Sequence, residues 1–143
     1  MPLSGARTYV GFGFGPIQAG LFLYEAFHSG NFKRLVVAEV DSDVMNDLRR
    51  AGGYYSLNIA HPDRIETCRV GPVEVYDPGL ASDRQVLIDA IASAHEMATA
   101  IPSVDFYETQ GPGSIHRVLA DGLSLKLRQR GPHAVISSTS TER

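Results

Sequence analysis

Four glycines crowd the junction between a β-rich run and an amphipathic one. Residues 9–22 read YVGFGFGPIQAGLF, with Gly11, Gly13, Gly15 and Gly20. Before the turn, RTYVGFG (7–13) has the composition of a short strand ending in glycines. After Pro16, apolar residues at Ile17, Leu21, Tyr24 and Phe27 or His28 follow the spacing of one helix face, and Gly30 in HSGN stops it. A strand that passes through glycines straight into a helix opens a parallel α/β unit. It limits the rest of the chain to elements that extend or cover such a sheet.

The remaining sequence supplies those elements. RLVVAEV (34–40) is a continuous apolar run, as expected of a parallel strand buried on both faces. Asp41 or Ser42 offers an N-cap for DVMNDLRRAG, which closes at Gly52. The stretch 54–78 breaks the rhythm: Tyr55, Leu57 and Ile59 alternate with period two and AHPD makes a turn, which predicts a β-hairpin followed by one more strand. Ser82 and Gln85 have capping-box spacing and start a helix through DRQVLIDAIAS; HEMATAI (95–101) reads as another buried strand, cut off at Pro102. GSIHRVLADGLSLKLRQRG (113–131) is a predicted helix with Ile115, Leu119, Leu123 and Leu127 on its inner stripe. AVISS (134–138) is a predicted strand, and TSTER is read as a polar tail after which nothing packs. The expected fold is α/β: a Rossmann-like parallel sheet with helices on both faces and an inserted β-hairpin, all in a single domain, 1–143. No repeat or linker divides it.

Composition narrows the partners. A chain of 143 residues, 43% of them hydrophobic, is about the size of one domain with one sizeable core. A net charge of −3 provides no broad basic field, so neither nucleic acid nor an anionic membrane is an expected partner. A small anion remains compatible, because backbone amides bind it without help from net charge. Cys68 is the one cysteine and has no internal disulfide partner. No apolar run approaches the roughly 18 residues of a membrane span, and MPLSGARTYV lacks a signal's apolar segment. A cytoplasmic location is the expectation.

Between a first strand and a first helix, a glycine-rich turn is where a parallel α/β domain binds a pyrophosphate. The strict G-x-G-x-x-G fingerprint fits neither available frame: starting at Gly11 its third position is Pro16, and starting at Gly13 it is Gln18. The second frame is physically better, because Pro16 then falls in the first helical turn, where its fixed φ suits and its missing N–H costs little. Gly13 makes the tight turn, Gly15 lets the backbone approach phosphates, Ala19 and Gly20 supply the small packing surface, and Gln18 is free to face the ligand. An acid to hold the ribose hydroxyls is expected roughly 20 residues further on, and Glu39 in VVAEVD meets that expectation. No arginine follows it directly to neutralise a 2′-phosphate, so NAD is favoured over NADP, with Arg49 and Arg50 the residues that would have to fold back to change this.

GFGPIQAGLF followed by VVAEVDSDVMNDL resembles the N-terminal domain of the mannitol-1-phosphate 5-dehydrogenase and polyol dehydrogenase family, which carries a G-x-G-x-I-x-x-G turn and an acid in an A-D-V setting. The likeness continues more loosely through YYSLNI, ATAIP and LADGL. It implies that a pyrophosphate rests on Phe14, Gly15, Pro16 and Ile17, the adenosine ribose on Glu39, and the nicotinamide side near Thr99, Ala100 and Ile101. In that family a second, largely helical domain supplies the catalytic lysine and the substrate-binding asparagine and histidine. The chain ends where that part would begin, so the expectation is a truncated enzyme or one part of a split one, with a catalytic-domain partner chain or a homo-oligomer as partner.

No other residues carry chemistry by pattern. Lys33 and Lys126 match no catalytic motif and read as surface residues on a loop and a helix. His95 and Glu96 lack the second histidine of a zinc-binding helix and read as strand-end polar residues. His116 reads as part of a solvated helix face, His61 as a hairpin-turn residue, and Cys68 as a half-buried strand thiol. Catalytic residues are therefore not assigned, and no metal is expected. Two other readings stand beside the dehydrogenase domain: an NAD(H) sensor module acting through a partner, and an S-adenosylmethionine methyltransferase. The last is the weakest, because the acid normally found two residues before the first glycine is Tyr9 or Gly11 here.

Overall fold

The computed structural model describes residues 6–101 and 111–140. In chain order the elements are β1 (Arg7–Phe12), a wide π-helical turn (Gln18–Phe22) running into α1 (Leu23–Ser29), β2 (Phe32–Ala38), α2 (Ser42–Arg50), β3 (Tyr55–Ala60), β4 (Ile65–Val70), β5 (Val73–Tyr76), α3 (Ala81–Ser93), β6 (Glu96–Ile101), α4 (Ile115–Arg128) and β7 (Val135–Ser140). Five strands form a sheet in the order β5-β2-β1-β6-β7, every neighbouring pair parallel. β3 and β4 form a separate antiparallel hairpin. The expected α/β class, with a Rossmann-like parallel sheet and a hairpin set apart from it, is what the chain adopts. Among the described residues, no helix is long and apolar enough to cross a membrane.

Strand alternation builds two cores on opposite faces. From β1 and β2, Tyr9, Leu35 and Val37 point to one side and pack with Leu23 and Ala26 of α1 and Met45 and Leu48 of α2. Val10, Phe12, Val36 and Ala38 point to the other side and meet Leu87, Ala90 and Ile91 of α3 and Val118 of α4. A sheet covered on both faces explains the unbroken apolar run of β2, in which Leu35 through Ala38 are all buried. At α2, Asp41 is the cap: its carboxylate accepts from the amides of Asp43 and Val44. β3 alternates as expected, with Tyr55, Leu57 and Ile59 half-buried and their neighbours exposed.

Several sequence expectations are corrected. The predicted inner stripe of the first helix fails, since Leu21 is 50% exposed while Gln18, Leu23 and Ala26 are buried. The cause is the π turn, whose Leu23 N–H bonds to Gln18 O, adding one residue to a helical turn and moving the inward face along the sequence. Ser82 caps nothing: α3 begins after Leu80 with no side-chain cap, and Asp83 instead accepts from the Asp77 amide at 2.9 Å. In α4, Leu127 is 81% exposed and the buried line is Val118, Gly122 and Lys126, with Ile115, Leu119 and Leu123 packed beside it. Gly122 lets the two helices close up, since a Cβ there would collide with Ile91 of α3. Apolarity alone hides a stripe that contains a glycine and a lysine. Lys33 stands in β2 rather than on a loop. Lys126, expected at the surface, is buried and donates to Ala94 O and Pro132 O at 2.6 and 2.8 Å. β7 runs on through Thr139 and Ser140, part of the predicted tail. Pro102 lies outside the described residues.

Candidate functional site

The glycine-rich turn leaves the carboxyl end of β1, beside the point where the strand order reverses: β2 lies on one side of β1 and β6 on the other. In an open parallel sheet, ligands bind in the crevice at this position. Each of the four glycines has a different surrounding. Gly11 is buried in β1, and a Cβ on it would meet the Gln18 carboxamide at 2.7 Å. Gly13 has φ +85° and a Cβ there would lie 2.7 Å from Ala100 O, so both its conformation and its space demand glycine. Gly15 and Gly20 have nothing within 4 Å of an added Cβ. Gly13 therefore makes the turn and Gly15 leaves it open, whereas the expectation that Gly20 supplies close packing is not met. That function falls to Gly11, which makes room for Gln18.

Gln18 does not face the turn's open side. Its side chain is fully buried beneath the sheet, accepting from the Tyr9 hydroxyl and donating to Ala98 O at 3.1 Å. Burial pushes the Tyr9 phenol above its ordinary pKa, with Glu96 adding to the effect, which keeps the hydroxyl a donor to Gln18. The residue standing where the fingerprint has its third glycine thus ties the first helix to both β1 and β6.

On the open side lies a cavity of about 670 Å³, within the usual size of a small-molecule site. Gly13, Phe14, Gly15, Pro16 and Ile17 line one wall, Glu39 another, and Ala100 and Ile101 the end of β6. Eight of the ten residues predicted from sequence therefore meet around one space. Gln18 and Thr99 do not: Thr99 is buried, its hydroxyl 2.7 Å from that of Ser138 on the neighbouring strand. Apolar walls unmarked by any motif complete the cavity, among them Val40, Val44, Pro78 and Ile115. Gly113 and Ser114 bring in the start of α4. Here the backbone is closely packed, since a Cβ on Gly113 would lie 2.6 Å from Pro78 O.

Glu39 is held more firmly than a surface acid. One carboxylate oxygen accepts from the Phe14 amide at 2.9 Å, the other from the amides of Val40 and Asp41 at 2.8 and 3.1 Å. It therefore fixes the turn after β1 to the end of β2, and carboxylate lone pairs remain for further donors. Among the described residues, no lysine, arginine or histidine lines the cavity. Arg49 is occupied elsewhere, donating to Val75 O at 2.7 Å and pairing with Asp83.

The other polar candidates lie apart from this space. His95 stands at the opposite end of the sheet and accepts the Thr8 amide through Nδ1. His61 pairs with Glu66 across the hairpin turn, His116 is exposed at the start of α4 beside Ser114, and Cys68 is half-buried in β4.

No family model matches the chain. Over 131 residues, 92% of the chain, it is 30% identical to mannitol-1-phosphate 5-dehydrogenase of Bacillus pumilus (strain SAFR-032). The chain spans 31% of that relative's length. A distant relationship to a dehydrogenase thus coincides with a Rossmann-like sheet, a combination that suggests a dinucleotide-binding domain.

Proposed function

We propose that this chain is the NAD-binding part of a polyol oxidoreductase of the mannitol-1-phosphate dehydrogenase type. The observation that carries the reading is the cavity at the reversal of strand order, walled by the Gly13–Ile17 backbone and by Glu39. At Gly15 a side chain would enter open space, so the backbone there is accessible to a pyrophosphate. The first helical turn leaves N–H groups without intrahelical partners, and these are the donors such an anion takes. Glu39 is positioned to accept from ribose hydroxyls. With no cation on the described lining, a 2′-phosphate would sit beside carboxylates, which favours NAD over NADP. The nicotinamide, when bound, supplies the hydride chemistry; the chain's own residues bind and orient the cofactor. The polyol substrate and the groups that move its proton belong to a partner or a further segment.

The test is calorimetric titration of the chain with NAD, NADP and S-adenosylmethionine, repeated on Gly15→Leu. NAD is expected to bind selectively. Gly15→Leu is expected to leave the melting temperature nearly unchanged, because the site is open, and to abolish NAD binding. Failure of NAD to bind, or wild-type affinity in the variant, overturns the reading.

A further inference from the structure

The hairpin β3–β4 lies outside the main sheet, yet its first residue reaches the glycine-rich turn. Tyr55 makes two contacts there. Its ring meets the Phe14 ring edge to face, with centroids 5.0 Å apart and planes at 89°. Its hydroxyl donates to Ala19 O at 2.7 Å. Phe14 and Ala19 flank the stretch from Gly15 to Gln18, so one side chain grips both shoulders of the turn. The base of the hairpin is itself anchored: Gly53 donates to Leu48 O at the end of α2, and Val73 of β5 donates to Gly53 O. Phe14 also lines both the large cavity and a smaller groove of about 270 Å³ that Tyr54 and Tyr55 border. Its ring stands between the hairpin and the proposed ligand.

We infer that Tyr55 is a positioning residue for dinucleotide binding, one that couples the docking of the hairpin to the conformation of the phosphate-binding turn. The inference rests on the proposed function. A turn containing Gly15 has wide conformational freedom, and ordering it on binding costs entropy unless something outside the turn orders it beforehand. Glu39 holds the Phe14 amide and Gln18 holds the start of the helix. Tyr55 supplies the brace that ties the Phe14 ring and the Ala19 carbonyl to one rigid group. Because coupling is reciprocal, bound NAD also steadies the hairpin.

The experiment compares NAD dissociation constants for wild type, Tyr55→Ala, Tyr55→Phe and Leu57→Ala, well below each melting temperature. Leu57 stands two residues along the same face of β3, so Leu57→Ala controls for simple loosening of the hairpin. Tyr55→Ala is expected to weaken NAD by roughly tenfold, Tyr55→Phe by about two- to fivefold, and Leu57→Ala hardly at all, magnitudes typical of an aromatic pair plus one hydrogen bond. Hydrogen exchange on the wild type is expected to slow at residues 55–60 when NAD is added. If Tyr55→Ala does not fold, Tyr55→Phe and the exchange experiment carry the test. Unaltered NAD affinity in the Tyr55 variants, an equal loss in Leu57→Ala, or a hairpin indifferent to NAD overturns the coupling alone. Failure of the wild type to bind NAD overturns the functional reading, and the inference with it.

Discussion

The two ends of the parallel sheet bury polar groups in opposite ways. At the carboxyl end, strands stop short of a cavity whose lining carries carboxylates and backbone but no described cation. The buried polar side chains there are neutral: Gln18 has both ends of its carboxamide engaged by Tyr9 and Ala98, and Thr99 and Ser114 carry hydroxyls. At the amino end there is a buried ammonium. Lys126 donates to the carbonyls of Ala94 and Pro132, and His95 next to β6 accepts from Thr8. Desolvation lowers the Lys126 pKa, and His95 is lowered by burial first and then by Arg7 and Lys126. At one end the hydrogen bonds of a buried ammonium close the fold; at the other a cavity walled by the glycine-rich turn stays open. This predicts that defects at the two ends separate stability from binding.

A matched pair of glycines gives the largest test. Gly13 faces Ala100 O at the carboxyl end, and Gly131 faces Ala92 O at the amino end. A Cβ at either position collides with a backbone carbonyl, which cannot swing aside as a flexible side chain would. Gly13→Ala adds the strain of a positive φ. Both substitutions are expected to cost about 2–4 kcal/mol in denaturant unfolding. In the folded fraction, Gly13→Ala is expected to lose NAD affinity and Gly131→Ala to keep it. Equal affinity losses would mean that the two ends do not act separately.

Glycines were also where the sequence was most and least legible. The strand, turn and helix at residues 7–30 follow from local composition, and Glu39 from its distance to the turn, so eight of the seventeen described residues on the cavity wall were readable. What was hidden depends on contacts between distant segments. Gln18 stands where a fingerprint glycine was expected, and nothing local says that Gly11 has cleared a space for it. The π turn is likewise invisible to a helical period, which is why Leu21 was expected inside and lies outside. Lys126 reads as a surface residue until Gly122 brings α4 against α3 and sets the buried line on which it lies. Val44, Pro78 and Ile115 carry no motif, being cavity walls only because the first turn of α2, the loop after β5 and the start of α4 meet.

The buried ammonium gives a smaller, pH-dependent effect. Because the folded chain disfavours the charge on Lys126, the unfolded chain holds more protons between the lowered pKa and the ordinary 10.5. Stability from this group therefore rises with pH across that window, and its cost is present in full below it. Lys126→Met removes the titration but leaves two carbonyls without their donor, an expected net loss of about 1–2 kcal/mol at neutral pH. Unfolding measured from pH 7 to 10.5 is expected to show a flatter profile in the variant than in wild type. Parallel profiles would mean that Lys126 is solvated in the folded protein.

The smallest expected effect is at His95, and it links the amino-end groups to one another. A lowered pKa means that the folded chain prefers the neutral ring, which is the form able to accept the Thr8 amide through Nδ1. Above the ordinary 6.5 this contribution is present in full, and it is lost as pH falls from 6.5 through the lowered value. His95→Gln keeps an acceptor for Thr8 without titrating, so it is expected to change stability at pH 7 by less than about 1 kcal/mol and to remove part of the acid destabilisation. Lys126 is one of the two cations holding His95 down, so an NMR titration of His95 in Lys126→Met is expected to move its pKa back toward 6.5. An unmoved His95 would show that desolvation and Arg7 lower it without help from Lys126. The amino end would then be two independent groups rather than one electrostatically coupled pair, and the contrast with the neutral Gln18 network would rest on Lys126 alone.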